Sequence, residues 1–171
     1  MPADPAVTLR PARTQDVHAI RELVRPLAER RVLLQKEAVA FYEAIQEFVV
    51  AEGADGALAG FGALHVMWED LAEVRTLAVA DGFQGRGVGH LLLDELLDRA
   101  RRVGVSRVFC LTFEVEFFRR HGFEVMADQS AVDPEVYAEL LRSTDEGVAE
   151  FLDLARVKPN TLGNTRMIRT L

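Results

Sequence analysis

The sequence predicts an α/β domain with a mixed β-sheet. Three observations predict it: strand-length apolar runs separated by glycine turns between Phe48 and Val79, a strongly amphipathic pattern from Val88 to Arg102, and the compact apolar run RVFCL directly after it. An antiparallel meander feeding a parallel β-α-β crossover accounts for that order. At 171 residues the chain suits one domain, 1–171, long enough to bury a core without covalent staples.

The chain begins with VTLR, a short strand. Thr14 or Asp16 then caps a helix whose Val17, Ile20, Val24 and Leu27 share one face, and Pro26 is expected to end or kink it in its last turn. VLLQKEAVAFYEAIQE repeats the helical spacing at Ala38, Phe41 and Ile45 and predicts a second helix. FVVAE, a turn at GADG and ALAGFGALHVM read as a β-hairpin. LAEVRTLAV follows as a strand that alternates at its start but not at its end, which predicts a bulge near Arg75 or Thr76. Bulges re-aim side chains and are frequent beside active sites.

In the next helix Val88, Leu92, Leu96 and Ala100 form the apolar stripe, with Glu95–Arg99 and Asp98–Arg102 as i, i+4 pairs on the other side. Gly104 stops it. RVFCL is a buried strand, VEFFRRH a short helix closed by Gly122, FEVM another strand, residues 134–156 a mixed and helical stretch, and NTRMIRTL a closing strand.

Composition excludes several classes of function. No apolar run approaches the ~20 residues of a membrane span, and the polar start MPADPAV lacks the layout of a signal peptide, so a cytoplasmic protein without a membrane partner is expected. A formal charge of −7 argues against general nucleic-acid binding, whose affinity comes mainly from basic charge. From Leu154 onward, however, there is no Asp or Glu, while Arg156, Lys158, Arg166 and Arg169 are present. That basic segment serves either a small anion or only solvent. Cys110 is the single cysteine, within VFCL, which reads as a packed core residue rather than a nucleophile. His18, His65 and His121 show no metal-ligand spacing, and no metal is expected.

Chemistry is concentrated at Gln84, Gly85, Arg86, Gly87, Val88 and Gly89, between a strand and the amphipathic helix. Three glycines in five positions cost local stability, each about 1 kcal/mol relative to alanine in a helix, so backbone exposure is the feature they serve. Amides at a helix mouth, with the positive end of the helix dipole, bind phosphates, and Arg86 adds a charge-assisted contact. A P-loop would require Lys and Ser or Thr where His90 and Leu91 stand, and a dinucleotide fingerprint would place its third small residue at His90.

QGRGVG resembles the Q/R-x-x-G-x-G/A motif of the GNAT superfamily of acyl-CoA N-acetyltransferases, preceded, as there, by a strand ending LAV. The element order over residues 7–126 and the segment FFRRHGF resemble that family as well. The resemblance implies a central, mostly antiparallel sheet with splayed strands flanked by helices, and acetyl-CoA as cosubstrate. Amides of Gln84 to Gly89 would hold the coenzyme pyrophosphate, and backbone groups of Leu77 and Val79, around Ala78, would pair with the pantetheine arm like an added strand. The family's short helix often carries a tyrosine that protonates the departing thiolate; Phe118, within that coenzyme-binding segment, stands here instead, so no general acid is assigned. A thiol of pKa near 8.5 leaves as thiolate without one.

Acetyl transfer to an amine needs the ammonium to lose a proton. Glu73 is the candidate general base, against the alternative of a solvent-facing strand glutamate. An amide near the bulge at Thr76 and Leu77 suits the developing oxyanion. Thr112 either orients substrate or cofactor or simply ends its strand.

IRELVRPLAERRVLLQKE, AEVRTLAV, VGVSRVFCLT and NTRMIRTL resemble the acetyltransferase domain of N-acetylglutamate synthases, which implies L-glutamate as acceptor, a role at the entry to arginine biosynthesis, and L-arginine as a feedback inhibitor. Two carboxylates on the acceptor call for cations, and bidentate arginines suit them. By position in the resemblance these are Lys36 and Arg166, with Arg75 and Arg25 as second choices. Another amino acid, an amine or a protein N-terminus remains open as acceptor, as does a non-catalytic acyl-CoA sensor. A homodimer is compatible with the sequence, which does not specify oligomeric state.

Overall fold

The computed structural model describes residues 6–33, 35–127, 132–157 and 163–171; Lys158 of the basic segment lies outside them. Seven strands, β1 (Thr8–Pro11), β2 (Phe48–Glu52), β3 (Leu58–Trp68), β4 (Leu71–Val79), β5 (Arg107–Thr112), β6 (Glu124–Val125) and β7 (Thr165–Thr170), pair in the order β1-β2-β3-β4-β5-β7-β6. The β4–β5 step is parallel, while β1–β2, β2–β3, β5–β7 and β6–β7 are antiparallel. This is the mixed, mostly antiparallel sheet the sequence predicts. The residues group into two compact units, Met1–His65 with Val74–Val103, and Val66–Glu73 with Gly104–Leu171.

In the first unit, α1 (Val17–Glu29) buries Val17, Ile20 and Val24 on the expected face, against Phe41, Phe48 and Phe61. Pro26 falls in the last turn of α1, which ends three residues later. The capping expectation requires correction. Thr14–Asp16 is a 3-10 turn, and the Asp16 carboxylate accepts the Arg13 N–H at 2.6 Å and two guanidinium bonds from Arg10 at 2.8 and 2.9 Å. Arg10 Nε also donates to Glu52 at 2.7 Å, so a partly buried charge network takes the place of a simple cap. The Arg10 hydrogen bonds hold the Asp16 carboxyl below its ordinary range, against an opposing effect of burial. The second helix is also shorter than its sequence pattern: α2 covers Ala38–Glu43, and a separate 3-10 turn covers Ile45–Glu47. Six residues are too few to persist without tertiary support, and Phe41 is the buried residue that supplies it.

The hairpin β2–β3 forms as expected, with a register shift between Ala51 and Glu52. Against it packs α3 (Val88–Val103), whose Val88, Leu92, Leu96 and Ala100 stripe is fully enclosed. Gly60 and Gly62 of β3 permit this approach. A Cβ on Gly60 would lie 2.7 Å from the Ala78 carbonyl oxygen and 3.0 Å from Leu92; one on Gly62 would lie 2.8 Å from Leu96 and 2.9 Å from Leu77. The surface ion pairs of α3 differ from the expected i, i+4 set: Arg102 meets Glu95, Arg101 meets Asp98, and Arg99 donates to the carbonyls of Glu47 and Gln46, both at 2.9 Å.

In the second unit, Leu71, Ala72 and Glu73 of β4 pair with Arg107, Val108 and Phe109 of β5. The closing strand β7 runs beside β5 from Arg107↔Thr170 to Thr112↔Thr165 and holds the two-residue β6 on its other side. The core here centres on Leu71, Phe109, Phe151 and Leu152, with Phe109 edge-on to Phe151 at 5.4 Å. The short helix expected at VEFFRRH is α4 (Val115–Arg120), and the mixed stretch 134–156 contains α5 (Pro134–Leu140) and α6 (Glu146–Phe151). Asp133 caps α5 by accepting the Glu135 and Val136 amides, and Asp145 caps α6 by accepting that of Val148.

Two outcomes follow. Gly60→Ala forces a methyl group onto a backbone oxygen, so chemical denaturation will show a loss of about 1–3 kcal/mol. Asp16→Asn removes a carboxylate whose pKa is lowered by folding. The stability it contributes is present above the unfolded value near 3.8 and lost as pH falls through the folded value. The substitution therefore costs stability at pH 7, and the wild-type loss of stability on acidification below about pH 4 becomes shallower, as thermal melts at graded pH will register.

Candidate active site

The site is built outward from the end of β4. Thr76 has φ +56° in the middle of that strand, at the position where the sequence pattern predicts a bulge. A β-branched residue in the left-handed region costs about 1–2 kcal/mol, and such strain concentrates at functional sites. Beyond β4 the chain is tied back by Ala80 N–H to the Ala59 carbonyl at 2.8 Å, makes a 3-10 turn over Asp81–Phe83, and is steadied by the Gln84 side-chain amide on Asp81 at 3.2 Å.

Gly85 and Gly87 then have φ +75° and +78°, conformations that glycine takes at least cost. The first hydrogen bond of α3 runs from Leu91 N–H to the Gly87 carbonyl at 3.1 Å. Amides of the first helical turn, which begins at Val88, face the N-terminal end of α3. Left-handed glycines leading into a helix N-terminus are the kind of backbone arrangement that can hold a phosphate group. Arg86, exposed between the two glycines, places its guanidinium carbon 5.4 Å from the Phe83 ring centroid.

The remaining sequence candidates distribute as follows. Leu77 and Val79 are half-buried and Ala78 is buried on β4. Glu73 is only 4% exposed and is the last β4 residue in the ladder with β5. Thr112 is buried at the end of β5, where its hydroxyl accepts the Glu114 N–H at 2.8 Å. Phe118 is buried edge-on between Phe117 and Phe123, at 5.2 and 5.1 Å, within the core of its unit. Lys36 and Arg75 are half-buried, while Arg25 is exposed and paired with Glu22 one helical turn away.

Arg166, half-buried on β7, donates from Nε to the Glu150 carbonyl at 3.1 Å and from Nη2 to the Phe151 carbonyl, at the C-terminal end of α6. Burial lowers its pKa, and Asp153 opposes that shift. Cys110 is buried with its thiol pKa pushed well up, first by burial and then by the nearby Glu73 carboxylate, which leaves it an inert core residue as the sequence predicts. Among the described residues no group of three or more His, Cys, Asp or Glu is arranged to hold a metal ion, and no helix is long and apolar enough to cross a membrane.

Sequence reasoning passed over two features. Gly60 and Gly62 carry the close approach beneath the loop strand, and their signal was the alternation of glycine in GFG, which removes side chains from one face of a strand. Phe83, one residue before the motif, supports Arg86, a relation that only the fold of the loop reveals.

Residues 17–123, containing the strained strand, the glycine loop and the helix mouth, match the Acetyltransferase (GNAT) family. The chain belongs to that family. As a GNAT acetyltransferase it is 52% identical over 172 residues to a Mycobacterium tuberculosis protein named amino-acid acetyltransferase, covering 99% of this chain and 98% of the relative. A crystal structure of a M. tuberculosis protein in complex with CoA and the ligand designated NLQ superposes with a TM-score of 0.91 at 53% identity, covering 96% of this chain and 99% of the other. N-acetylglutamate synthase from Neisseria gonorrhoeae, complexed with coenzyme A and N-acetyl-glutamate, superposes with a TM-score of 0.78 at 28% identity over 98% of this chain. This GNAT chain spans 36% of that synthase's length. As a member of this acetyltransferase family it uses acetyl-CoA as cosubstrate.

Gly87→Ala puts a Cβ on a left-handed residue of the candidate coenzyme-binding loop. Calorimetry will show coenzyme A affinity reduced about fivefold or more, with thermal stability lowered by about 1 kcal/mol.

Proposed function

We propose that the chain is an amino-acid N-acetyltransferase that moves the acetyl group of acetyl-CoA to the α-amino group of L-glutamate, giving N-acetylglutamate and CoA in the cytoplasm. The observation that carries the reading is the helix mouth at Gln84–Gly89, directly after the strained end of β4. The M. tuberculosis relative named amino-acid acetyltransferase and the N. gonorrhoeae synthase bound to coenzyme A and N-acetyl-glutamate support the choice of acceptor.

The coenzyme supplies a thioester-activated acetyl group. The amides of Gln84 to Gly89, with Arg86, hold its pyrophosphate. Backbone groups of Leu77 and Val79, on either side of Ala78, pair with the pantetheine arm as a strand would. An amide at Thr76–Leu77 donates to the thioester carbonyl oxygen as charge develops there. Glu73 takes a proton from the substrate ammonium, directly or through one water. The amine nitrogen then bonds to the acetyl carbon, the carbon–sulfur bond breaks, and the coenzyme leaves as thiolate. Phe118 has no proton to give, and a thiol with pKa near 8.5 needs none at that step.

Thr112 already accepts the Glu114 amide, and its hydroxyl proton remains the one it would offer to substrate. Lys36 and Arg166 are the cations assigned to the glutamate carboxylates, with Arg75 and Arg25 as second choices. Arg166 acts through the N–H groups that its contacts with the Glu150 and Phe151 carbonyls do not use.

The test is free-thiol release by purified protein supplied with acetyl-CoA and a panel of amino acids. Release that depends on L-glutamate is expected. Release only with a different amine, or coenzyme binding without turnover, defeats the acceptor assignment. Glu73→Gln will lower kcat by about a hundredfold or more while coenzyme A affinity stays within about twofold. Lys36→Ala will raise the KM for glutamate with little change in kcat. L-arginine added to the same assay reads out feedback inhibition directly.

A further inference from the structure

Arg86 does not approach its ligand as a lone exposed side chain. It is presented between two left-handed glycines, and its guanidinium lies over the Phe83 ring. That ring is pinned in turn. Gly53, in the β2–β3 turn, is buried, and a Cβ there would lie 2.9 Å from Phe83 Cζ and 3.2 Å from Cε1, so the ring rests against this glycine and a larger residue would displace it. A hairpin turn distant in sequence therefore fixes an aromatic platform, and the platform restrains a cation beside the glycine loop.

At 5.4 Å from the ring centroid the guanidinium lies within cation–π range, an attraction that restrains where the side chain of Arg86 sits beside the loop. An arginine on a freely rotating stem must give up rotamer freedom when it binds; one already restrained gives up less.

We propose that Phe83, seated on Gly53, is a positioning residue that pre-orients Arg86 for a phosphate of coenzyme A. The proposal rests on the coenzyme reading of the glycine loop. It assigns Phe83 an effect on coenzyme affinity exerted entirely through Arg86, with no contact of its own to the ligand.

The experiment is a double-mutant cycle on coenzyme A affinity, measured by calorimetry for wild type, Phe83→Leu, Arg86→Ala and the double variant, with thermal melts on each. Phe83→Leu is expected to weaken binding about three- to fivefold and Arg86→Ala about tenfold. In the Arg86→Ala background the Phe83 substitution is expected to add almost nothing. Phe83→Met repeats the measurement with a flexible apolar side chain should the leucine variant melt at much lower temperature. The salt dependence of the affinity should flatten in Phe83→Leu as it does in Arg86→Ala.

Additive losses, or a Phe83→Leu affinity equal to wild type, overturn the positioning role while leaving the coenzyme reading intact. Absence of any association between wild-type protein and coenzyme A at millimolar concentration overturns both.

Discussion

The first unit depends on how closely α3 approaches β3 and β4. Leu92 and Leu96 are fully enclosed, and each reaches a position where any side chain on Gly60 or Gly62 would stand. Enclosing a leucine is worth about 1.5–3 kcal/mol, so this contact is a main source of cohesion for its unit. It also determines geometry. The Ala78 carbonyl and the Val79 Cα lie against the same glycine that receives Leu92, so the end of β4 and the axis of α3 are referred to one point on β3. The helix mouth that follows inherits its position from that packing.

Around this rigid reference the chain holds a small amount of strain. Thr76 is left-handed within a strand, between the buried residues Val74 and Ala78, and that burial keeps it from relaxing to an ordinary extended conformation. Electrostatics decides a protonation state in the second unit. Glu73 and Cys110 are both buried, and the carboxylate together with desolvation holds the thiol in its neutral form.

Arginine is used in three distinct ways. Arg10 belongs to a network with Asp16 and Glu52 that locks the entry to α1 onto β1 and β2. Arg99, Arg166 and Arg169 donate to backbone carbonyls, joining α3 to the chain before β2, β7 to α6, and β7 to the end of α4. Arg86 lies within cation–π range of an aromatic ring beside the glycine loop. Planar, always-charged guanidinium groups suit all three tasks, and lysine would replace none of them well. The basic character of the terminal segment is therefore partly structural, since Arg166 and Arg169 meet carbonyl oxygens within their own unit.

The sequence by itself determined the elements whose cause is local. The stripe of α3, the β2–β3 hairpin with its glycine-containing turn, the irregularity near Thr76 and the left-handed glycines of the loop all follow from patterns within a few residues, and each is found at the expected position. The family resemblance was legible for the same reason, because a phosphate cradle is made from consecutive backbone amides. Tertiary structure alone decided the rest. It inserted β7, the last strand in sequence, between β5 and β6, and it shortened the second helix to six residues. It also drew Asp16 from a cap into an ion network and set Phe83 on a glycine thirty residues earlier. These are contacts between distant residues, and pattern along a chain records which face of an element is apolar but not which distant partner will cover it.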